Sequence, residues 1–295
     1  MTTIDIARLD HDTWLSLRKL GSSDAAAICG LNPWCSPYDV FADKIGLLPA
    51  QRDNEAMEVG RVLEEPIARL FEKRTGLSVT KCGEMFVHHY HHFMTATPDY
   101  WVKEDEVVGI LEIKNTSIYG AAAWTDGIPD PAHIQIMHQL ACTGAPFAYA
   151  CALIGGNKLK FQRVERDEGI IGRLEVIEAD FWRMVETSTP PPLRADDGET
   201  LAKVYARSVI EEIPLPAEAK ELVEMYRRSK EKEKSAKSEA DYAATQLKAM
   251  LEYSDSGTID DYRVSWKAIH KDEHTVKASD YRMFTVKEIK SATEK

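Results

Sequence analysis

The spacing of hydrophobic positions separates predicted helices from predicted strands along the first two thirds of the chain. Apolar residues at a period near 3.6, bounded by capping residues, indicate helices, and short apolar or alternating runs indicate strands. Helices are predicted at 11–18, 21–30, 36–48, 54–76, 131–144 and 167–187. Strands are predicted at 78–88, 93–103, 107–114, 147–156 and 158–166. A β-meander followed by a helix and further strands predicts a mixed α/β core.

Capping residues sharpen the ends of these helices. Ser36 is a predicted N-cap, and Gly30, Gly46 and Gly76 are predicted stops. Pro66 stands inside the fourth helix and predicts a kink or a break there, because proline removes a backbone donor.

The pattern changes near residue 190. Residues 187–200 are proline-rich and then acidic, which predicts a linker. Residues 217–252 lack Gly and Pro and carry dense charge pairs, which predicts one long exposed helix, with a bent hairpin or a partial coiled coil as alternatives. Residues 258–287 predict two or three short strands. We therefore predict two domains, at 1–194 and 195–295, and expect the second to serve in assembly or in docking of a partner.

Composition narrows the class of protein. The 295 residues are 44% hydrophobic and 29% charged, which is typical of a soluble globular protein. No apolar run approaches the ~18 residues of a membrane span, and the N-terminus lacks signal-peptide features. Five widely spaced cysteines favour reduced thiols and a cytosolic location. The net charge of −11 implies that any contact with DNA is local.

Residues 95–117 place charged side chains in runs that otherwise read as buried strand. Asp99 closes one run, and Glu112 and Lys114 lie two residues apart in the next. Residues i and i+2 of a strand share a face, so Glu112 and Lys114 project together. One interpretation is a structural ion pair. The other is a hard-cation site, in which two carboxylates and the Ile113 carbonyl hold Mg²⁺ and the lysine acts on a bound water.

Four further patterns favour the second interpretation. Pro-Asp at 98–99 followed by Glu-x-Lys at 112–114 resembles the PD-(D/E)xK nuclease superfamily. Gly60-x-x-x-Glu64 and Gln135-x-x-x-Gln139 resemble its exonuclease helices. The segment from Trp14 to Gly30 resembles the opening of the YqaJ-type viral recombinases, relatives of phage lambda exonuclease. The resemblance implies a restriction-endonuclease-like core, with a central mixed β-sheet flanked by helices, followed by a long-helix and short-strand appendage.

The resemblance also implies roles for individual residues. Asp99, Glu112 and the Ile113 carbonyl resemble the family's metal ligands, and Glu64 the acid that completes the site directly or through water. Glu65 is its neighbouring rival, but Glu64 keeps the family's spacing. The implied ion is Mg²⁺, with Mn²⁺ as a substitute.

Other family positions concern the water and the DNA end. Lys114 resembles the residue that orients or activates the attacking water. Gln135 and Gln139 lie one helical turn apart and share a face toward the site or the scissile strand. Arg18 and Ser23 resemble the pocket for the DNA 5′-phosphate, and a guanidinium beside a hydroxyl suits an anion.

By this resemblance the chain is a Mg²⁺-dependent exonuclease that degrades one strand of linear double-stranded DNA from its end, 5′→3′. The expected setting is phage-type recombination by strand annealing in a bacterial or phage-infected cytosol. The expected partners are DNA ends, further copies in a ring-like homo-oligomer, with a trimer favoured, and a single-strand annealing protein. A structure-specific endonuclease and a non-catalytic DNA-end-binding protein are the alternatives.

Two polar clusters have ordinary explanations. The histidines at 88, 89, 91 and 92 would suggest zinc, but adjacent strand residues face opposite ways, which favours an exposed hairpin tip. The Lys/Glu-rich segment at 227–239 is typical of a solvated helix face, with a DNA or protein contact as the alternative.

Overall fold

The computed structural model describes residues 2–6, 9–49, 54–208 and 212–270, with Phe284 and Val286. Residue contacts divide the chain into two compact units, Met1–Val204 and Tyr205–Lys295. The helices of the first unit are α1 (His11–Leu17), α2 (Ser22–Ile28), α3 (Pro37–Lys44), α4 (Glu55–Thr75), α5 (Asp130–Thr143), α6 (Glu168–Glu186) and α7 (Gly198–Val204), with 3-10 helices at Ile118–Trp124 and Ala195–Asp197. Its strands are β1 (Thr2–Asp5), β2 (Leu20–Gly21), β3 (Ser78–Lys81), β4 (Glu84–Val87), β5 (Met94–Ala96), β6 (Tyr100–Glu104), β7 (Val107–Thr116), β8 (Phe147–Ile154) and β9 (Lys158–Glu165).

A five-stranded mixed sheet forms the centre of the first unit. Its order is β3-β6-β7-β8-β9, and the β7–β8 pair is parallel while the other neighbours are antiparallel. The parallel pair is joined by α5, as a parallel connection requires a crossover. The predicted mixed α/β core is therefore confirmed.

The period of two along β7 and β8 gives this sheet two different faces. Leu111 and Ile113 pack with Phe71 of α4 on one face. Ile110 packs with Ile136 of α5 on the opposite face. Side chains that alternate with the α4-facing positions of β7 therefore point toward α5.

A second sheet lies beside the first and has the order β1-β4-β5-β2. Its β5–β2 pair is parallel, with Leu20 opposite Met94 and Gly21 opposite Thr95. Leu20 also packs in a third apolar cluster with Phe41 of α3 and Phe181 of α6. This sheet therefore fixes the short segment that separates α1 from α2.

Two predicted strands are each divided in the structure. The run at 78–88 is split between β3 and β4, and the run at 93–103 between β5 and β6, so each half joins a different sheet. Of the kink or break predicted at Pro66, the break is wrong, because α4 continues through this residue as one helix. Ser36 caps α3 as predicted, accepting a hydrogen bond from the Asp39 backbone.

The predicted linker at 187–200 is wrong in its second half. Asp197 is buried and accepts hydrogen bonds from the Ser36 hydroxyl and the Arg194 backbone N–H. The Thr200 hydroxyl donates to Asp39. Residues 195–204 therefore pack on α3, and the division between units lies after Val204 rather than after residue 194.

The described part of the second unit contains a long helix and a hairpin. The helix is α8 (Ala219–Leu251), continuous and exposed along almost its whole length, so the bent-hairpin alternative is wrong. Strands β10 (Ser256–Ile259) and β11 (Tyr262–Ser265) pair antiparallel, which confirms two of the short strands predicted there. The remainder of that prediction falls largely on 271–287, of which only Phe284 and Val286 are described. In the described part of the chain, none of the helices combines the length and apolar character needed to cross a membrane.

Candidate active site

Glu112 and Lys114 project from β7 toward α5, as the strand alternation predicts. The Lys114 Nζ lies 2.7 Å from Glu112 Oε1 and also donates to Gln135 Oε1 at 2.7 Å. The side chain of Ile113 between them packs in the apolar cluster under α4. The acid and the lysine are therefore held as one pair against the polar side of α5.

Glu112 is almost fully buried, with 3% of its surface exposed. Gln135 Nε2 donates to its Oε1 at 2.6 Å, and Gln139 Nε2 donates to its Oε2 at 2.7 Å. With Lys114, three donors satisfy the carboxylate, which offsets the cost of removing it from water. The structure thus brings together four of the predicted site residues.

Asp99 lies on the other side of the cluster and contacts the main chain of β7. Pairing between β6 and β7 ends at Tyr100 and Leu111, so β7 runs on without a β6 neighbour. Asp99 Oδ2 accepts a hydrogen bond of 2.7 Å from the Ile113 backbone N–H in this gap. The N–H and C=O of a strand residue point to the same side, so the Ile113 carbonyl faces the same gap.

This cluster contains two carboxyl groups, Asp99 and Glu112, and one ammonium group, Lys114. Burial raises the pKa of Asp99 well above its usual value, and the nearby Glu112 charge adds to the rise. Burial alone would lower the pKa of Lys114, but Glu112 and Asp99 outweigh it and raise the pKa. The lysine therefore stays protonated while the two carboxyls compete for its charge.

Glu64 lies close enough to the other acids for their charges to interact, because, in addition to burial, the Glu112 charge raises the pKa of Glu64 and the Glu64 charge adds to the rise at Asp99. The Glu64 Oε2 is 3.7 Å from the Lys81 Nζ, and burial raises the pKa of its carboxyl, although Lys81 opposes that rise. Among the described residues, no three His, Cys, Asp or Glu side chains form a group that could hold a metal ion. Glu65 is exposed and pairs with Arg69 on the outer side of α4.

The predicted phosphate residues meet at the junction of α1 and α2. Arg18 Nη2 donates to the Ser23 hydroxyl and lies 3.5 Å from Asp24, while its guanidinium lies 5.3 Å from the centre of the Trp14 ring. Lys44 also pairs with Asp24, at 2.9 Å. Burial raises the pKa of Asp24, but Arg18 and Lys44 outweigh it and lower the pKa.

A cleft of about 160 Å³ at this junction extends to Gln135, which borders the acid–lysine cluster of Asp99, Glu112 and Lys114. Its lining residues are Trp14, Arg18, Gly21, Ser22, Ser23, Thr95, Thr97 and Gln135. Gln135 belongs to both sites, because the same side chain contacts Lys114 and Glu112. The structure therefore places the two predicted sites side by side.

Sequence patterns missed one polar pair beside this site. His138 and Glu178 are both fully buried and lie 2.8 Å apart. His138 stands among apolar residues of α5, and Glu178 lies on a different helix, so no spacing along the chain links them. A buried histidine of this kind has no sequence signal of its own.

The histidine-rich turn is only partly the exposed tip that was predicted. Tyr90 is exposed, but His88 is buried, accepts from the His91 backbone N–H and lies 3.2 Å from Glu175. Burial, helped by His91, lowers the pKa of His88 to about 4. His88 is therefore neutral, and its contact with Glu175 is not an ion pair.

Comparison with known proteins places this chain in a family. Residues 13–146 match the YqaJ-like viral recombinase domain. The chain is 30% identical over 310 residues to the protein YqaJ of Bacillus subtilis (strain 168), covering 96% of each.

Solved structures share the fold of the first unit. The crystal structure of LHK-Exo, an alkaline exonuclease from Laribacter hongkongensis, aligns with a TM-score of 0.50 and 23% identity, over 60% of this chain and 94% of that one. The crystal structure of LHK-Exo in complex with dAMP gives the same figures. The predicted fold of the core is thereby confirmed, and the match across nearly the full length of YqaJ shows that this chain belongs to the YqaJ-like viral recombinase family.

Proposed function

We propose that this protein is a Mg²⁺-dependent exonuclease that degrades one strand of linear double-stranded DNA from its end. The observation that carries the proposal is the cluster of Asp99, Glu112 and Lys114 at the open edge of β7, held by Gln135. Acids, an ammonium and amides at one strand end suit the binding and hydrolysis of a phosphodiester.

The donor set fits a hard divalent cation. Asp99, Glu112 and the Ile113 carbonyl offer oxygen atoms around the gap beside β7. Burial, with the Glu112 charge, raises the pKa of Asp99, and a cation bound there would favour its ionised form. Glu64 completes the set, directly or through water. Bound Mg²⁺ would supply a more acidic water and offset the charge of the phosphate, and Mn²⁺ would substitute for it.

The remaining side chains act on the phosphate and the strand. Lys114 keeps its charge and is fixed between Glu112 and Gln135, so its Nζ is placed to stabilise negative charge that develops on the phosphate. Gln139 fixes the second oxygen of Glu112. Arg18 and Ser23 hold the terminal 5′-phosphate in the adjoining cleft, which gives the enzyme a 5′→3′ polarity.

The test is cleavage of linear duplex labelled at either the 5′ or the 3′ end, with Mg²⁺ and with EDTA. We expect release of short 5′-labelled products in Mg²⁺, no cleavage in EDTA, and binding without turnover in Ca²⁺. Closed circular duplex of the same sequence should be resistant. Cleavage of the circle would favour a structure-specific endonuclease, and binding without any cleavage would favour a DNA-end-binding protein.

The family supports a role in phage-type homologous recombination by strand annealing, in the cytosol of a bacterium or a phage-infected host. We propose that the protein works as a ring-like homo-oligomer, with three copies favoured, together with a single-strand annealing protein. Sedimentation of the purified protein tests the number of copies. Co-purification with an annealing protein expressed alongside it tests the partner.

A further inference from the structure

The pair formed by His138 and Glu178 lies behind the active-site helix. Both side chains are fully buried. His138 Nδ1 is 2.8 Å from Glu178 Oε1, and His138 Nε2 is 3.0 Å from the backbone carbonyl of Thr95. One imidazole ring therefore connects α5 to α6 and to β5.

Each ring nitrogen of His138 contacts an oxygen atom. A carbonyl only accepts, so Nε2 must carry a hydrogen toward Thr95. The contact with Glu178 also needs a hydrogen, which either Nδ1 or the carboxyl can carry. Burial lowers the pKa of His138, but Glu178 outweighs it and raises the pKa well above the usual value, which keeps that hydrogen in place. Both contacts are therefore hydrogen bonds at neutral pH.

Through Thr95, the His138 ring contacts a strand residue that borders the cleft containing Arg18. Thr95 lines that cleft, and its hydroxyl donates to the Leu20 carbonyl at 3.1 Å. Thr95 also pairs with Gly21 in the parallel β2–β5 ladder. The segment fixed by these contacts lies directly between Arg18 and Ser23.

Through α5, His138 is linked to the acid–lysine cluster. Gln135 and Gln139, which both donate to Glu112, flank His138 on the same helix. A shift of α5 along β5 would therefore move the amides that hold Glu112 relative to the Arg18 cleft. In the described structure, the His138–Thr95 hydrogen bond opposes that shift directly.

We propose that His138 is a positioning residue, which sets the distance between the cleft that contains Arg18 and the acid–lysine cluster. With this distance fixed, a 5′-phosphate held by Arg18 places the first scissile phosphodiester at Glu112 and Lys114. This inference rests on the proposed function. It states that a buried histidine, remote from the reacting atoms, is needed for faster cleavage of a phosphorylated end than of an unphosphorylated one.

Two substitutions of His138 separate its two contacts. His138→Gln places an amide N–H near the position of Nε2 and keeps the bond to Thr95. His138→Asn places its amide near Nδ1 and loses Thr95. Both are made with Glu178→Gln, because a buried carboxylate without a cationic partner is strongly destabilising. Glu178→Gln alone is the matched control, since its amide can donate to a neutral His138 that still donates to Thr95.

The measurement is kcat/KM in Mg²⁺ on matched duplexes with 5′-phosphate and 5′-hydroxyl ends. We expect Glu178→Gln, alone or with His138→Gln, to keep the wild-type ratio of the two values. Glu178→Gln with His138→Asn should lower that ratio about two- to tenfold, the effect of one lost hydrogen bond, with the hydroxyl end little changed. A purely structural role would slow both ends equally.

A second double variant keeps the test decisive if the protein with His138→Asn does not fold. His138→Leu with Glu178→Met fills the site with apolar atoms, which buried ion pairs usually tolerate, and should lower the ratio equally. An unchanged ratio in a folded Asn or Leu variant, checked by thermal melting, overturns the inference alone. Absence of end preference in the wild type overturns the proposed role of Arg18, and the inference with it.

Discussion

Asp99 and Glu112 are neighbouring acids with different surroundings. Three side-chain donors satisfy Glu112, whereas the Asp99 carboxyl accepts from the Ile113 backbone N–H. The raised pKa of Asp99 means that its ionised form opposes folding. Its stabilising contribution is complete below the pKa of the unfolded chain and is lost as the pH rises through the folded pKa.

We therefore expect Asp99→Asn to stabilise the metal-free protein while abolishing cleavage. The amide keeps an acceptor for Ile113 and removes the buried charge. In EDTA near pH 8 the Tm should rise by about 2–4 °C, the shift that about 1 kcal/mol gives a protein of this size. The gain should shrink as the pH is lowered, because wild-type Asp99 then takes up its proton.

Addition of Mg²⁺ provides the control for this prediction. A ligand that binds only the folded state raises its Tm, so Mg²⁺ should stabilise the wild type and have little effect on Asp99→Asn. Equal stabilisation of both proteins would show that Asp99 is not a metal ligand.

Lys114 and Arg18 are both cationic, but removing each should change the cleavage rate in a different way. Lys114→Ala should lower kcat on every DNA end, by about 10²–10³-fold, because transition-state stabilisation is lost. Arg18→Ala should slow 5′-phosphorylated ends about ten- to a hundredfold and leave 5′-hydroxyl ends nearly unchanged. Rates on matched ends distinguish the two effects. Equal slowing of both ends by Arg18→Ala would exclude it as an end-binding residue.

At the scale of secondary-structure elements, the Arg18 guanidinium packs directly against Gly21 of the short β2 strand. A Cβ at Gly21 would overlap the Arg18 guanidinium, the mobile end of a long side chain. We expect Gly21→Ala to fold but to displace Arg18, lowering the preference for a 5′-phosphate with little change on hydroxyl ends. Gly172→Ala in α6 is the matched control, because its Cβ would meet nothing within 4 Å. Kinetics on both ends, with Tm as a check on folding, measure the effect.

The elements that carry the site were largely predictable, because each depends on local periodicity. The alternation along β7 predicts that Glu112 and Lys114 share a face, and the helical spacing predicts the same for Gln135 and Gln139. The divided strands were not predictable. The 78–88 run is continuous in its apolar pattern, and nothing local shows that β3 and β4 belong to different sheets.

At the scale of the whole molecule, the boundary between units depends on contacts distant in sequence. Asp197 bonds to Ser36, and Thr200 to Asp39, each across 161 positions of the chain. Acidic residues after three prolines resemble a linker, and only the folded chain supplies their partners. The His138–Glu178 pair was missed for the same reason.

We expect a chain ending at Val204 to retain exonuclease activity, because every residue of the proposed site lies in the first unit. A chain ending at residue 194 should melt at a lower temperature, since the buried Ser36 hydroxyl then loses Asp197, at a cost of about 1–3 kcal/mol. Thermal melting and DNA degradation compare the two chains. Inactivity of a folded, correctly assembled chain ending at Val204 would place the second unit within the active enzyme.

The gap where β6 leaves β7 gives the protein an internal spectroscopic probe. The Ile113 amide donates to a carboxylate rather than to a strand neighbour. Its ¹⁵N and ¹H resonances should therefore move as Asp99 titrates, while the amide of Leu111, within the paired ladder, should stay still. A single backbone signal would then report the charge of Asp99 and the arrival of a cation, without any DNA or turnover.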